Sequence, residues 1–267
     1  SVGVDLKAWV HRRHILLSLL PVIAIMRASA VPVAPCALAA VGIQGRWEAN
    51  MADFTIYLAN KNYSSWSMRG GLAAAMTGAD YEEVVIPLGQ PDTRERILPH
   101  SPSAKLPALK HGDIRVWDSL AIAEYLAELF PNKELWPDDR ALRARARTVC
   151  AEMHSGFPAL RRTLPMNVRA KRATPEIDAE LRADIDRIVA IWKACRARFG
   201  EGGDFLFAQP TLADAFFAPV VSRFVTYGIE LDDVCTAYRE AVWKWEPVVA
   251  WRKAANDEPW LIDQYEV

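Results

Sequence analysis

The chain has 267 residues, of which 51% are hydrophobic and 24% charged, as expected for a globular protein with a substantial buried core. Its formal net charge of −1 gives no electrostatic reason to expect a nucleic-acid partner, which usually binds a basic protein. Four cysteines lie far apart, without CxxC or CxxH spacing, so we expect reduced thiols, no disulfide framework and no metal site. They are Cys36, Cys150, Cys195 and Cys235.

Residues 1–50 differ from the rest of the chain. They contain only two acidic residues, and Ile15–Met26 forms an apolar run. This run is too short to span a bilayer as a helix, so we expect no stable membrane insertion. Two interpretations stay open: a targeting signal, or a non-structural extension upstream of Met51. We favour the extension and exclude residues 1–50 from the fold.

The next segment has the pattern of an α/β domain. Its elements follow the order β-α-β and then β-β-α, which resembles a thioredoxin-like domain over residues 51–131. Gly78 marks the end of the first helix, and the hairpin turn contains Gly112. The predicted strands are Phe54–Ala59, Glu83–Leu88, Leu106–Lys110 and Ile114–Trp117; the helices are Ser65–Thr77 and Ser119–Leu129, with a helical turn at Asp92–Leu98.

After a linker with prolines at both ends, strand signals disappear. The remaining pattern predicts an all-α domain over residues 139–260. Thr211 and Asp214 have the spacing of a capping box, and we assign them to folding rather than catalysis. The predicted helices are Ala141–Arg161, Pro175–Phe199, Leu212–Tyr227, Asp232–Trp245 and Val248–Ala255.

A cluster of serines follows the first strand and opens the first helix. The segment reads Ser64-Ser65-Trp66-Ser67-Met68-Arg69. Hydroxyl groups and free N–H groups at a helix N-terminus favour an anion, and a thiolate is one candidate. The alternative is plain capping, in which one serine satisfies the free N–H groups of the helix.

This segment is similar to the Ser-Ser-Cys-Ser-Trp-Arg signature of zeta-class glutathione transferases, and residues 54–256 resemble that family throughout. The resemblance implies a thioredoxin-like domain followed by a helical bundle, with glutathione as co-substrate. It places Ser64 at the catalytic serine, five residues before Arg69. Ser65, Ser67 and Tyr63 remain alternative hydroxyls, because the turn at Asn60–Tyr63 is longer than usual.

Two further motifs complete the resemblance. Lys105-Leu106-Pro107 is similar to the family stretch that ends in a cis-proline, which implies that Leu106 pairs with the cysteinyl amide of glutathione through its backbone. Lys105 is either solvated or placed to meet a glutathione carboxylate.

Asp118-Ser119 resembles the acidic-Ser pair that holds the γ-glutamyl end of glutathione. The resemblance implies that Ser119 binds the carboxylate and Asp118 the ammonium group. Both residue types are also good helix caps.

The resemblance implies an enzyme that presents the glutathione thiolate to a small hydrophobic electrophile held by the helical domain. It further implies a cytoplasmic homodimer with a role in detoxification. Isomerisation of a maleylacetoacetate-like substrate is a variant that Trp66, in place of the family's Cys, disfavours. A non-catalytic protein-binding scaffold is a rival function, and thiol–disulfide chemistry would require Cys at position 64.

Outside these motifs, His154 is either a structural residue or a catalytic base.

Overall fold

The computed structural model describes residues 54–266, so the predicted extension at 1–50 and Cys36 lie outside the described residues. The first half is the expected thioredoxin-like α/β arrangement. A helical turn separates it from the second half. Its elements are β1 (Phe54–Leu58), α1 (Ser65–Met76), β2 (Tyr81–Val85), α2 (Thr93–Ile97), β3 (Ala108–His111), β4 (Ile114–Val116) and α3 (Ser119–Leu129).

The four strands form one mixed sheet in the order β2-β1-β3-β4. β1 runs parallel to β2 and antiparallel to β3, and β3 pairs with β4 as a hairpin. β2 begins at Tyr81 and ends at Val85, earlier than the predicted Glu83–Leu88. The ring of Tyr81 stacks on Phe54 at 5.2 Å, while Pro87 has no N–H with which to continue the ladder.

The second half of the described chain is helical, as predicted. One predicted helix, Ala141–Arg161, is wrong, because the structure divides it into two helices. Phe157 between them has a left-handed backbone (φ 63°), and Pro158 begins the next helix. The helices are α4 (Arg140–Ser155), α5 (Pro158–Thr163), α6 (Ala179–Phe199), α7 (Leu212–Thr226), α8 (Asp233–Lys244) and α9 (Glu246–Asp257).

Side-chain caps fix where several of these helices begin. Asp178 accepts a hydrogen bond from the N–H of Leu181, which explains why α6 begins at Ala179 rather than at the predicted Pro175. The predicted capping box at α7 is present: Thr211 accepts from the α7 backbone, and Asp214 accepts from the N–H of Thr211. It starts a helix that is buried along nearly its whole length.

The larger of two apolar clusters in the described chain spans both halves, including Leu72 of α1 and Phe216 of α7. Two adjacent glycines in α1 permit the closest approaches. A Cβ at Gly70 would lie 2.9 Å from the Pro107 ring, and one at Gly71 would lie 2.4 Å from the ring of Trp251 in α9. α1 therefore packs tightly against both the sheet side and the helical half.

Within residues 54–266 no helix is both long and apolar enough to cross a membrane. Cys150, Cys195 and Cys235 are buried as free thiols. The same residues contain no group of three His, Cys, Asp or Glu side chains arranged to hold a metal ion.

Candidate functional site

Ser64 is the N-cap of α1, and its hydroxyl belongs to a short buried network. Its Oγ accepts a hydrogen bond from the N–H of Ser67 (3.2 Å) and donates to the Oγ of Ser67 (2.9 Å). Ser67 Oγ also accepts from the N–H of Ala59 (2.8 Å), at the end of β1. Ser67 is therefore a fully buried structural link between β1 and α1.

Ser65 differs from its two neighbours. It is the first residue of α1, and its hydroxyl makes no hydrogen bond with the residues that the structure describes. The two candidate catalytic residues, Ser64 and Ser65, thus follow one another at the start of α1, where the positive end of the helix favours an anion. The Ser64 hydroxyl caps the helix and donates its one proton to Ser67, so donation to a ligand requires that bond to break, whereas the Ser65 hydroxyl has no such partner among the described residues.

The turn before Ser64 is held by the C-terminal segment of the chain, residues 258–266. The carboxylate of Glu258 accepts hydrogen bonds from the N–H groups of Lys61 (2.7 Å) and Asn62 (3.1 Å). The phenol of Tyr63 bonds to Glu266 and accepts from Arg169 (3.1 Å). Tyr63 is buried and already engaged, so it is not a free alternative to the serines.

The segment before β3 exposes peptide groups beside α1. The Leu106–Pro107 bond is cis, as the resemblance implies. Neither the N–H nor the C=O of Leu106 makes a hydrogen bond with another described residue. Lys105 is exposed and forms no ion pair with any residue from 54 to 266. An extended ligand with amide groups and a carboxylate suits these free groups.

Asp118 and Ser119 open α3. Asp118 is the N-cap, with Oδ1 accepting from the N–H of Leu120 at 3.0 Å, and its side chain is 54% exposed. Ser119 is completely buried, yet its Oγ has no hydrogen-bond partner among the described residues. Buried hydroxyls are rarely left unpaired, and this one lies at a helix N-terminus, where a ligand carboxylate fits.

His154, in the last turn of α4, joins this site from the helical half. Its Nε2 lies 3.1 Å from Oδ2 of Asp118, and its ring packs against the Trp66 ring in a T-shaped arrangement, with the ring centres 4.8 Å apart. Sequence reasoning named His154 but missed this contact with Asp118, which no local motif signals. Nor did it predict that the C-terminal segment holds the turn before Ser64.

Two guanidinium groups lie close to the ring of Trp66. Arg69 is 4.7 Å and Arg161 is 5.0 Å from the centre of its ring. Arg69 is fully buried, and none of its three side-chain nitrogens has a hydrogen-bond partner within residues 54–266. Burial and the nearby charges of Arg161 and Arg223 lower the pKa of Arg69 well below its ordinary value. The first turns of α1 therefore combine hydroxyls with a buried cation.

Comparison with family models matches the two halves separately. The model for the glutathione S-transferase N-terminal domain matches residues 63–129, and the model for the C-terminal domain matches residues 178–254. Together they cover more than half of the chain.

Curated relatives point to the same group of proteins. Maleylacetoacetate isomerase from Rattus norvegicus is 28% identical over 172 residues, covering 63% of this chain and 77% of the relative. Glutathione S-transferase Z2 from Arabidopsis thaliana is 27% identical over 190 residues, covering 67% and 83% respectively.

Solved structures share the fold. A glutathione transferase homologue from Burkholderia (BGR1), crystallised with bound glutathione, is 22% identical with a TM-score of 0.59; the match covers 77% of this chain and 98% of that one. The holo structure of maleyl pyruvate isomerase, a bacterial zeta-class protein, is 24% identical with the same TM-score and coverage.

Proposed function

This chain belongs to the glutathione S-transferase family, and on that premise we propose that it binds reduced glutathione and adds its sulfur to a small hydrophobic electrophile. The observation that carries the proposal is the hydroxyl of Ser119, buried and unpartnered within the described residues at the N-terminus of α3. It suits the γ-glutamyl carboxylate, and the adjacent Asp118 suits the ammonium group of the same end.

The middle of the tripeptide lies along the segment before β3. The free N–H and C=O of Leu106 pair with the cysteinyl amide, beside the ring of Pro107. Lys105 meets the carboxylate at the other end of the ligand as an exposed, unpaired cation of the described chain. Two carboxylates, the ammonium group and the cysteinyl amide of one ligand are thereby matched by complementary groups.

The sulfur lies at the N-terminus of α1, next to Ser64 and Ser65. A free thiol has a pKa of about 8.5, so only a small fraction is thiolate at neutral pH. A hydroxyl that donates to the sulfur, together with the helix N-terminus, favours the charged form. Each unit by which the pKa falls requires about 1.4 kcal/mol, which one charge-assisted hydrogen bond supplies.

Comparison of Ser64→Ala with Ser65→Ala tests this assignment. We expect glutathione conjugation of 1-chloro-2,4-dinitrobenzene to fall about 100-fold in kcat/KM when the sulfur-donating hydroxyl is removed. Ser64→Ala also loses a helix cap and about 1 kcal/mol of unfolding free energy, whereas Ser65→Ala keeps the cap and its stability.

The two variants give distinct outcomes. A large rate loss in one variant alone identifies the donor, and a loss in both indicates that the two hydroxyls share the sulfur. Unchanged rates in both variants would contradict a hydroxyl-assisted thiolate. Passage of the wild-type protein through glutathione–agarose without retention would contradict the proposed function as a whole and would favour a non-catalytic scaffold.

A glutathione-dependent isomerase of cis-unsaturated acids is the second candidate. It is favoured by the name of the rat relative, although Trp66 replaces the Cys of the zeta motif. Isomerisation of maleylacetoacetate, followed by ultraviolet absorbance with and without glutathione, separates the two candidates.

With either function, we propose that the protein is a cytoplasmic dimer. Light scattering tests the dimer.

A further inference from the structure

We propose that His154 is a positioning residue for glutathione: as a neutral imidazole, it orients the carboxylate of Asp118 toward the ammonium group of the ligand. The inference rests on the proposed function and adds a residue from the helical half to the glutathione site. The Asp118 carboxylate is held at two points, Oδ1 by the N–H of Leu120 and Oδ2 by Nε2 of His154. The Asp118 side chain is 54% exposed and so remains accessible to a ligand.

The surroundings of His154 determine its charge. Its Nδ1 is buried and has no hydrogen-bond partner in the part of the chain that the structure describes. Protonation would create an N–H at this atom without an acceptor, in addition to a desolvated positive charge. The Trp66 ring packs against the imidazole in a T-shaped arrangement.

Three charged groups face His154 from the elements packed around it. Asp118 at the start of α3 favours the protonated ring, while Arg69 of α1 and Arg161 of α5 oppose it. Burial is the largest influence, and the net result is that the pKa of His154 lies below its ordinary value. The ring is therefore neutral near pH 7 and donates from Nε2.

The charge of this donor matters for the ligand. A neutral N–H fixes the Asp118 carboxylate without cancelling its negative charge, so the carboxylate still attracts an ammonium ion. A protonated His154 would neutralise Asp118 and place a second cation near the ammonium group. Glutathione binding should therefore weaken on acidification, as His154 gains a proton.

The test measures binding of S-methylglutathione by calorimetry, because this ligand keeps the γ-glutamyl end and has no ionisable thiol. For the wild-type protein we expect Kd to rise about fivefold between about pH 7.5 and about pH 5. His154→Gln keeps a neutral donor, so its Kd should match the wild type near pH 7.5 and stay within about twofold at the lower pH.

His154→Leu removes the donor. Its Kd should be about tenfold above the wild-type value near pH 7.5, as expected for a lost hydrogen bond to a charged group, and should change little down to about pH 5, because the titrating imidazole is gone. In conjugation assays of this variant, KM for glutathione should rise while kcat changes little. His111→Gln is the matched control: His111 pairs with Tyr125 and lies opposite Phe54, at the end of the sheet remote from Ser64.

The outcomes separate this inference from the proposed function. If the wild-type protein binds S-methylglutathione but His154→Gln keeps the same pH dependence, or His154→Leu binds normally, the role of His154 is wrong and the proposed function stands. If the wild-type protein does not bind the ligand at all, the proposed glutathione site fails. A purely structural role would lower stability in His154→Gln without removing the pH dependence.

Discussion

The side chains of the proposed site differ in how much they contribute to the folded structure and how much to ligand binding. Ser64 and Asp118 each cap a helix, and Ser67 connects β1 to α1. Ser119 differs, because its buried hydroxyl contributes no hydrogen bond to the described fold. Removal of this hydroxyl should therefore affect the ligand more than the protein.

Ser119→Ala should raise the Kd for glutathione about tenfold, because a hydrogen bond to a carboxylate is lost. The free energy of unfolding of the ligand-free protein should change by less than about 0.5 kcal/mol, since no partner within the described residues is left unpaired. Calorimetry and urea unfolding measure the two quantities.

Ser222→Ala is the control for this experiment. Ser222 of α7 is another fully buried serine whose Oγ lacks a partner in the described chain. It should leave glutathione binding unchanged. Equal affinities of Ser119→Ala and the wild type would remove Ser119 from the proposed site.

The sequence predicted the positions of these residues better than their contacts. Ser64 as a helix cap and the Asp118-Ser119 start of α3 follow from residue types at predicted helix starts. The contact between His154 and Asp118 depends instead on how α4 packs beside α3. A local pattern does not contain that information.

Elements were predicted well where local chemistry decides their ends. α3 has the predicted bounds, Ser119–Leu129, because a capping residue precedes it and its apolar spacing is regular. The break after α4 was missed although Gly156 and Pro158, two residue types that interrupt helices, flank Phe157 in the sequence. At the break Phe157 has a left-handed backbone, a conformation that a bulky residue seldom adopts.

Gly71→Ala should destabilise the protein, although alanine is by about 1 kcal/mol the better helix former. The new Cβ would lie 2.4 Å from the rigid ring of Trp251, and overpacking of this kind costs about 1–3 kcal/mol. We expect a net loss of about 1 kcal/mol in urea unfolding.

Trp251→Leu provides the matched background, because it removes the ring that the new methyl group meets. In that background Gly71→Ala should become neutral or stabilising, which makes the two effects strongly non-additive. If Gly71→Ala stabilises the wild-type protein, the close approach of α1 and α9 is not a constraint.

Stability of the whole molecule should depend on the buried carboxylate of Asp214. Burial raises its pKa to about 6, despite hydrogen bonds from Thr211, Leu206 and Tyr238 that favour the charged form. A pKa raised on folding means that the folded state binds the proton more tightly. The contribution of this proton binding to the free energy of unfolding is fully present below about pH 4. It is lost as the pH rises through about 6, and the total change is up to about 3 kcal/mol.

Asp214→Asn cannot titrate at this position. The unfolding free energy of the wild type minus that of this variant should therefore decrease by about 2 kcal/mol between about pH 4.5 and about pH 7.5. Urea unfolding at the two pH values measures it, with Asp113→Asn in the exposed hairpin turn as the control. A difference that stays constant or widens would contradict the assignment.

The two-part architecture was predictable at this scale, because strand patterns end at the linker and only helical patterns follow. The extent to which the two parts share one apolar core was not predictable from the sequence. One apolar core contains residues from both, and Gly71 admits the Trp251 ring at a distance that no other residue type permits.

This interlocking restricts recombination between family members. A chimaera cut at the linker would join an α1 from one parent to an α9 from another, and a parent with a side chain at position 71 would have no space for the indole ring. Functional hybrids should therefore arise mainly when the glycine and the tryptophan are inherited together, so a change of substrate range by exchange of the helical half requires the exchange of this pair as well.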